Sequence, residues 1–209
     1  MEKKQVKDEE REKKKNESKN DLIEIFSDSE IITEKEYVNK LKEWINDDDF
    51  FYKMKKVFSA KRDGFNSQNW HKSVDGKGKT LVIIKTKDNF IFGGFTQIGF
   101  NGITKDIKDS NAFIFSLRND KGDRKPEKFP IQKGQESNAI HSNLIYGPYF
   151  GCGFESDFWL QSDLQPGWSD FGHSYDLPNG IHQDTDEAQS YLAGSFNEWV
   201  VDELETYFI

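Results

Sequence analysis

The sequence contains a single cysteine and lacks any apolar run long enough to span a membrane. Because Cys152 has no second cysteine to pair with, an intrachain disulfide cannot form, which is typical of proteins in a reducing compartment. A membrane-spanning helix needs about 20 consecutive apolar residues, and the first residues of the chain lack the apolar core of a secretory signal. We therefore expect a cytoplasmic protein that is neither secreted nor inserted into a membrane.

Basic residues are absent from the last part of the chain. None of the 29 lysines and arginines follows Lys133, whereas 13 of the 37 acidic residues lie within residues 134–209. A surface of this sign repels a phosphate backbone, so we do not expect a nucleic-acid ligand. Two arrangements remain open: the basic first part neutralises the acidic part inside the fold, or residues 134–209 form an acidic surface for a basic protein partner.

Aromatic residues supply much of the apolar bulk in a chain whose hydrophobic content is only 34%. The 18 Phe, 7 Tyr and 5 Trp each bury a large area, so they allow a substantial core. Three runs rich in aromatic and β-branched residues predict neighbouring antiparallel strands at Thr80–Thr86, Phe90–Thr96 and Asn111–Leu117. Within the second run, Gly93–Gly94 predicts a β-bulge or an aromatic ring packed directly on bare backbone.

The N-terminal part of the chain divides into two segments of different composition. Residues 1–20 carry almost only charged or amide side chains, which predicts a disordered charged tail. Residues 21–49 are predicted to form a helical lead-in. Within it, Thr33 and Glu36 have the spacing of a capping box, and apolar residues recur at helical spacing up to Ile45.

Helical spacing of apolar residues resumes after the lead-in. It continues over Phe50–Gly64, which predicts a second helix that ends at the glycine. Asn66 or Ser67 is placed to cap a further short helix, with Trp70 and Val74 turned toward the core. We therefore expect the helices to precede most of the strands.

Short strands separated by Gly, Pro and Asn continue to the end of the sequence. They are predicted at Lys128–Lys133, Ala139–His141, Phe158–Leu164 and Trp199–Ile209, with a turn at Pro166–Gly167. Many short strands joined by turns are typical of a β-sandwich. The pattern therefore predicts a mostly β fold with flanking helices.

Several blocks of the sequence, taken in order, closely resemble the TLDc domain family. They include Phe58–Phe65, Thr80–Ile84, Ile91–Thr96, Gly147–Gly153 and Tyr191–Ser195. The resemblance implies a TLDc domain over residues 50–209, an α+β fold built on a two-sheet antiparallel β-sandwich. It also implies protection against oxidative stress and, in several members, binding to the peripheral sector of the vacuolar proton-pumping ATPase.

Four polar residues are candidates for a functional role: His71, Cys152, Asp157 and Glu205. His71 and Glu205 match positions of the family pattern, and a carboxylate in the apolar strand around Glu205 must be hydrogen-bonded. A reactive thiolate at Cys152 needs positive neighbours, but the local sequence offers acidic ones. The four residues match no catalytic motif, so we predict neither catalytic residues nor a cofactor.

Three further patterns lack the features that their chemistry requires. Cys152, His173 and Asp157 could be drawn as a catalytic set, but no nucleophile motif surrounds them. The loop His182–Glu187 lacks the glycine and terminal glutamate of an EF-hand and the ligand spacing of a zinc motif, so we predict no metal site. Val74 stands where the family usually has a cysteine, so a redox role of that cysteine cannot be transferred.

These observations leave three functional hypotheses. The preferred one is a non-enzymatic TLDc protein that protects against oxidative stress by binding a protein, with the vacuolar ATPase as candidate partner and the acidic residues 134–209 as docking surface. The second is a peroxide-linked enzyme or sensor that uses Cys152 or Glu205. The third is an adaptor that recruits another protein through its tail and the helix at Thr33–Ile45.

Overall fold

The computed structural model describes residues 24–119, 125–152 and 156–209, so the predicted charged tail at residues 1–20 lies outside the described residues. The helices are α1 Lys35–Ile45, α2 Asp48–Lys53, α3 Ala60–Asp63, α4 Ser67–Val74 and α5 Asp186–Ser190, with a 3-10 turn at Glu136–Asn138. The strands are β1 Lys55–Ser59, β2 Thr80–Thr86, β3 Ile91–Thr96, β4 Lys105–Ile107, β5 Phe113–Arg118, β6 Glu127–Pro130, β7 Ile140–Ser142, β8 Tyr149–Phe150, β9 Phe158–Leu160, β10 Pro166–Trp168 and β11 Trp199–Phe208. None of the helices in these three ranges has the length and apolarity that crossing a membrane requires.

The strands form two antiparallel sheets that share one strand. The first sheet has the order β6-β5-β3-β2-β11-β1, and the second has the order β4-β7-β8-β9-β10. The shared strand is β11: near its start Val200 lies opposite Pro166 of β10, and further along Glu205 lies opposite Ser59 of β1. This is the mostly β, α+β arrangement that the sequence predicts, and the expected fold class is confirmed.

Aromatic side chains fill the space between the two sheets, which we call the inner core. Phe92 of β3 packs edge-on against Phe158 of β9 and Trp199 of β11, with ring centroids 5.4 and 5.2 Å apart. Trp70 of α4 is also buried there, and its indole N–H donates a hydrogen bond of 2.9 Å to the Thr206 hydroxyl. Edge-to-face pairs of this kind add roughly 0.5–1.5 kcal/mol each to the stabilisation that burial provides.

The opposite face of the first sheet is covered by the N-terminal helices, and we call this layer the outer core. Helix α1 buries Tyr37, Val38, Leu41 and Ile45, which recur at helical spacing on one face. They pack with apolar residues of the sheet, namely Leu81, Ile83, Ile91, Phe95, Phe113, Phe115 and Leu117. The apolar face of α1 is therefore already used within the fold, which leaves it inaccessible to a recruited protein.

The prediction of one continuous helix over Phe50–Gly64 is wrong, because a strand interrupts it in the middle. Helix α2 ends at Lys53, and β1 follows as an edge strand paired with β11. Pairing with a distant strand, which no local pattern reveals, overrides the helical spacing of the apolar residues. The turn predicted at Pro166–Gly167 is also wrong, because these residues begin strand β10. Gly167 packs against Trp199 there, since a Cβ on Gly167 would lie 2.3 Å from the Trp199 ring.

The two predicted helix starts have different outcomes. Helix α1 has Glu34 as its N-cap residue and no side-chain cap bond, so the predicted capping box of Thr33 and Glu36 is not formed. Its position is fixed by packing in the outer core, which supplies most of the stability of a helix this short. The Asn66 side chain accepts hydrogen bonds from two backbone N–H groups in the first turn of α4, so the prediction of this cap is confirmed.

Gly93 and Gly94 allow an aromatic ring to lie directly on β3. The register of β3 is regular at both glycines, and its irregularity lies between Ile91 and Phe92, so the β-bulge alternative is wrong at Gly93–Gly94. A Cβ added to Gly94 would lie 2.4 Å from the Phe150 ring of β8. The alternative of an aromatic ring on bare backbone is therefore confirmed.

Substitution Gly94→Ala is expected to lower the free energy of unfolding by about 1–3 kcal/mol, because the added methyl group overpacks the inner core against Phe150. Urea denaturation measures the loss. In a Phe150→Leu background the same substitution should cost less, because the smaller side chain leaves room for the methyl group. An equal loss in both backgrounds would contradict the contact.

Candidate functional site

Glu205 is a fully buried carboxylate in β11. Its oxygens accept hydrogen bonds from the Ser29 hydroxyl at 2.5 Å, the Glu30 backbone N–H at 2.8 Å and the Tyr207 hydroxyl at 2.8 Å. The Lys56 ammonium group of β1 lies 3.2 Å away. Because a buried carboxylate is costly unless it is paired and hydrogen-bonded, this set of donors fastens the segment that precedes α1 to the sheet.

Glu203 is a second fully buried carboxylate of β11, and sequence reasoning missed it. It accepts hydrogen bonds from the backbone N–H groups of Ala60 and Lys61 at 2.8 and 3.3 Å, and from the Ser59 hydroxyl at 3.2 Å. Burial raises the pKa of Glu203, and these hydrogen bonds act against that rise. Glu203 thus caps α3, whose own N-cap side chain makes no cap bond. The alternation of acidic and apolar residues along β11 is the signal that could reveal it.

His71 is a buried side chain of α4 that holds a surface loop. Its Nδ1 lies 2.9 Å from the Asp75 carboxylate, and its Nε2 lies 2.9 Å from the carbonyl oxygens of both Asn143 and Tyr146. Carbonyl oxygens only accept hydrogen bonds, so Nε2 carries a hydrogen and donates to the loop. His71 therefore joins α4 to the loop between β7 and β8.

Two neighbouring loops expose large apolar side chains, and we call Ile103, Leu144 and Ile145 the apolar loop face. These residues are 62%, 52% and 64% exposed. The loops are in contact, since a Cβ on Gly102 would lie 2.8 Å from the Leu144 side chain. They are also tied together, because the buried Ser142 hydroxyl accepts a hydrogen bond of 2.9 Å from the Gly102 N–H. Sequence reasoning missed this face, because loops without periodicity give no signal of exposure.

Asp157 is fully buried and organises the turn that follows β10. Its oxygens accept hydrogen bonds from the backbone N–H groups of Gly172, Ser174 and Tyr175 at 2.9, 2.9 and 3.2 Å. Burial raises the pKa of Asp157 to about 7, and the three hydrogen bonds oppose that rise. The carboxylate thus holds a backbone turn, and it does not orient an imidazole as the acid of a catalytic triad does.

Cys152 is a half-buried free thiol that lies beside Asp106. Burial raises the pKa of Cys152, and the Asp106 carboxylate raises it further, with a smaller contribution from Asp157. A thiol that reacts readily with peroxide needs the opposite environment, in which positive charge stabilises the thiolate. The surroundings of Cys152 therefore favour an inert thiol.

The four candidate residues lie at three separate places in the fold. Cys152 and Asp157 are close to each other beside β9, whereas His71 lies on α4 and Glu205 lies in β11 beneath the segment that precedes α1. His71, Asp157 and Glu205 each hold a backbone segment through hydrogen bonds. These three side chains therefore anchor backbone segments within the fold.

The acidic residues within 134–209 are of two kinds: some are buried or paired inside the fold, and others form an acidic surface. Asp157, Glu203 and Glu205 are buried, and Asp202 pairs with Lys61 and Lys85 at 3.5 and 3.2 Å. Exposed acidic residues concentrate after β10, at Asp176, Asp184, Asp186, Glu187 and Glu198. We call residues 176–198, which contain no basic residue, the acidic segment.

Substitution Asp157→Asn tests the protonation of this carboxyl group. The pKa of Asp157 is raised in the folded protein, so the folded state holds the proton more tightly than the unfolded state, and stability falls as the pH rises toward 7. We therefore expect the stability advantage of the natural protein over the variant to shrink by roughly 1–3 kcal/mol between pH 5 and pH 8. Urea denaturation across this pH range measures it, with the exposed Asp163→Asn as control. An advantage that grows with pH would contradict a raised pKa.

Comparison with known proteins identifies the fold that carries these features. A search of curated proteins finds no significant match to the chain. A sequence model of the TLDc domain matches residues 26–206, which is nearly the whole chain. The match includes three parts of the fold: the segment that Glu205 fastens, the helix α1, and the shared strand β11 up to Thr206. The chain therefore belongs to the TLDc domain family, which is associated with resistance to oxidative stress.

Proposed function

We propose that this protein acts in oxidative-stress protection by binding another protein, without catalysing a reaction. The observation that carries the proposal is the apolar loop face, in which Ile103, Leu144 and Ile145 stand more than half exposed. Large apolar side chains exposed on adjoining loops mark interaction sites more often than isolated ones do, because their burial against a partner removes apolar area from water.

The loops that carry this face are held in place from beneath. His71 donates to two carbonyl oxygens of the β7–β8 loop, and Ser142 accepts from the β3–β4 loop. Within the β7–β8 loop, the Asn143 side chain accepts a hydrogen bond of 3.0 Å from the Ile145 N–H. A face whose backbone is fixed before binding loses less conformational entropy on association, so its apolar contacts contribute more to affinity.

The acidic segment supplies the second element of the proposal. Its exposed carboxylates would attract a basic partner surface and raise the association rate at low ionic strength. For the partner we propose the peripheral sector of the vacuolar proton-pumping ATPase, which several proteins of this family bind. That sector faces the cytoplasm, so the proposal includes a cytoplasmic location.

A tagged full-length chain, incubated with lysate of its source cells at low salt, is expected to recover peripheral ATPase subunits. The double substitution Leu144→Ser and Ile145→Ser should reduce this recovery about tenfold, because it removes apolar contact area at the interface. The matched control is Ile209→Ser, which removes another exposed apolar residue (51% exposed) outside the apolar loop face. Raising the salt concentration should weaken recovery of the natural chain.

Two outcomes would contradict the proposed partner and face. The first is an absence of ATPase subunits at low salt. The second is equal recovery by the double variant and the natural chain, which would place the interface elsewhere. Circular dichroism of each variant checks that the fold is retained.

The non-catalytic part of the proposal is tested at Cys152. The raised pKa of this thiol predicts slow reaction with a thiol-specific reagent at pH 7 and full cellular protection by the variant Cys152→Ser. Survival of cells under peroxide, with the variant in place of the natural protein, measures the second outcome. Loss of protection by this variant would favour the peroxide-linked sensor instead. Glu205 is unsuitable for the same test, because its substitution also releases the segment before α1.

A further inference from the structure

Three side chains with metal-ligating atoms meet in the connection between β10 and β11. Asp170, His173 and Asp184 each bring one ligand atom to a cluster whose atoms all lie within 4.8 Å of one another. His173 Nε2 lies 3.4 Å from a carboxylate oxygen of Asp170 and 3.2 Å from one of Asp184. The sequence gives no motif for this cluster: His173 and Asp184 belong to two separate patterns that lack the features of a site, and Asp170 belongs to neither.

The two distances at His173 Nε2 are close to those between ligand atoms around a metal ion. Charge-assisted hydrogen bonds between a ring nitrogen and a carboxylate are about 2.7–2.9 Å long, which is shorter than both distances at His173. Around a tetrahedral zinc ion with bonds of about 2.0–2.1 Å, neighbouring ligand atoms lie about 3.3 Å apart. The two distances at His173 Nε2 therefore match two edges of such a tetrahedron.

Neighbouring amide side chains orient the ligands from outside the cluster. The Gln189 amide donates to the other oxygen of Asp170 at 3.0 Å, and the Gln183 amide nitrogen lies 2.7 Å from His173 Nδ1. Rotation of this amide by about 180° brings its oxygen to Nδ1, so that Nδ1 donates to it and the lone pair of Nε2 faces the two carboxylates. Outer partners of this kind fix the tautomer of a histidine ligand.

The turn that carries two of the ligands is itself fixed by the inner part of the domain. Buried Asp157 accepts from the N–H groups of Gly172 and Ser174, the residues on either side of His173. The third ligand, Asp184, lies in the acidic segment and is 71% exposed at its side chain. A bound ion would therefore tie the acidic segment to an anchored turn.

We propose that Asp170, His173 and Asp184 bind a divalent transition-metal ion, with zinc as the favoured ion. The imidazole nitrogen disfavours calcium and magnesium, which prefer oxygen ligands, whereas zinc accepts nitrogen and carboxylate oxygen together. Three protein ligands leave one tetrahedral position for water or for a group from another molecule. This site does not include the apolar loop face, but its ligand Asp184 lies in the acidic segment that the proposed function also uses.

Isothermal titration of the chelator-treated full-length chain with zinc chloride tests the proposal. We expect one zinc ion per chain at this site and at least a tenfold loss of affinity in both His173→Gln and Asp184→Asn. Because Asp184 is mostly exposed, its variant removes a ligand without disturbing the core. The matched control is His182→Gln, which removes an exposed histidine of the same loop and should bind zinc like the natural chain.

A second measurement follows the acidic segment directly. Saturating zinc is expected to slow cleavage of residues 176–198 by a protease in the natural chain and in His182→Gln, but not in Asp184→Asn. Absence of zinc binding by the natural chain would overturn the proposal. Unchanged affinity in both His173→Gln and Asp184→Asn, or an equal loss in His182→Gln, would overturn it as well.

Discussion

Burial of two carboxylates in β11 is the constraint on which much of this structure depends. An ionised carboxylate in a core requires several donors, and neither Glu203 nor Glu205 obtains them all from its own strand. Glu203 accepts hydrogen bonds from the first turn of α3. Glu205 accepts them from the segment before α1 and pairs with Lys56 of β1. The acidic residues thus specify which distant segments pack against the strand, a role that apolar contacts fill less selectively.

The central sheet could be predicted from the sequence because its signals are local. Strands β2, β3 and β5 are dense in aromatic and β-branched residues, and β11 is a long run of the same kind. Strand β1 could not be predicted, because its extended form depends on pairing with β11 rather than on its own residues. The short strands β4, β8 and β10 consist of two or three residues each, which is too short for alternation to appear.

The features of the candidate site also differ in whether they could be predicted from local sequence. The need of Glu205 for hydrogen-bond partners follows from a carboxylate in a largely apolar strand, but two of its donors, Ser29 and Glu30, lie some 175 positions away in the sequence. The apolar loop face and the cluster around His173 depend on which loops the topology brings together. Spacing along the chain carries no information on such neighbours, so both features required the three-dimensional arrangement.

The sharing of β11 between the two sheets also affects how the chain acquires its fold. As the polypeptide leaves the ribosome, β1 emerges about 140 residues before β11, the strand with which it pairs in the first sheet. Until then β2 lacks a partner on one side and β10 lacks its link to the first sheet. Pairing across such long separations is slow, and unpaired strand edges invite aggregation. Nascent chains of this protein are therefore expected to need chaperone protection until translation reaches the last strand.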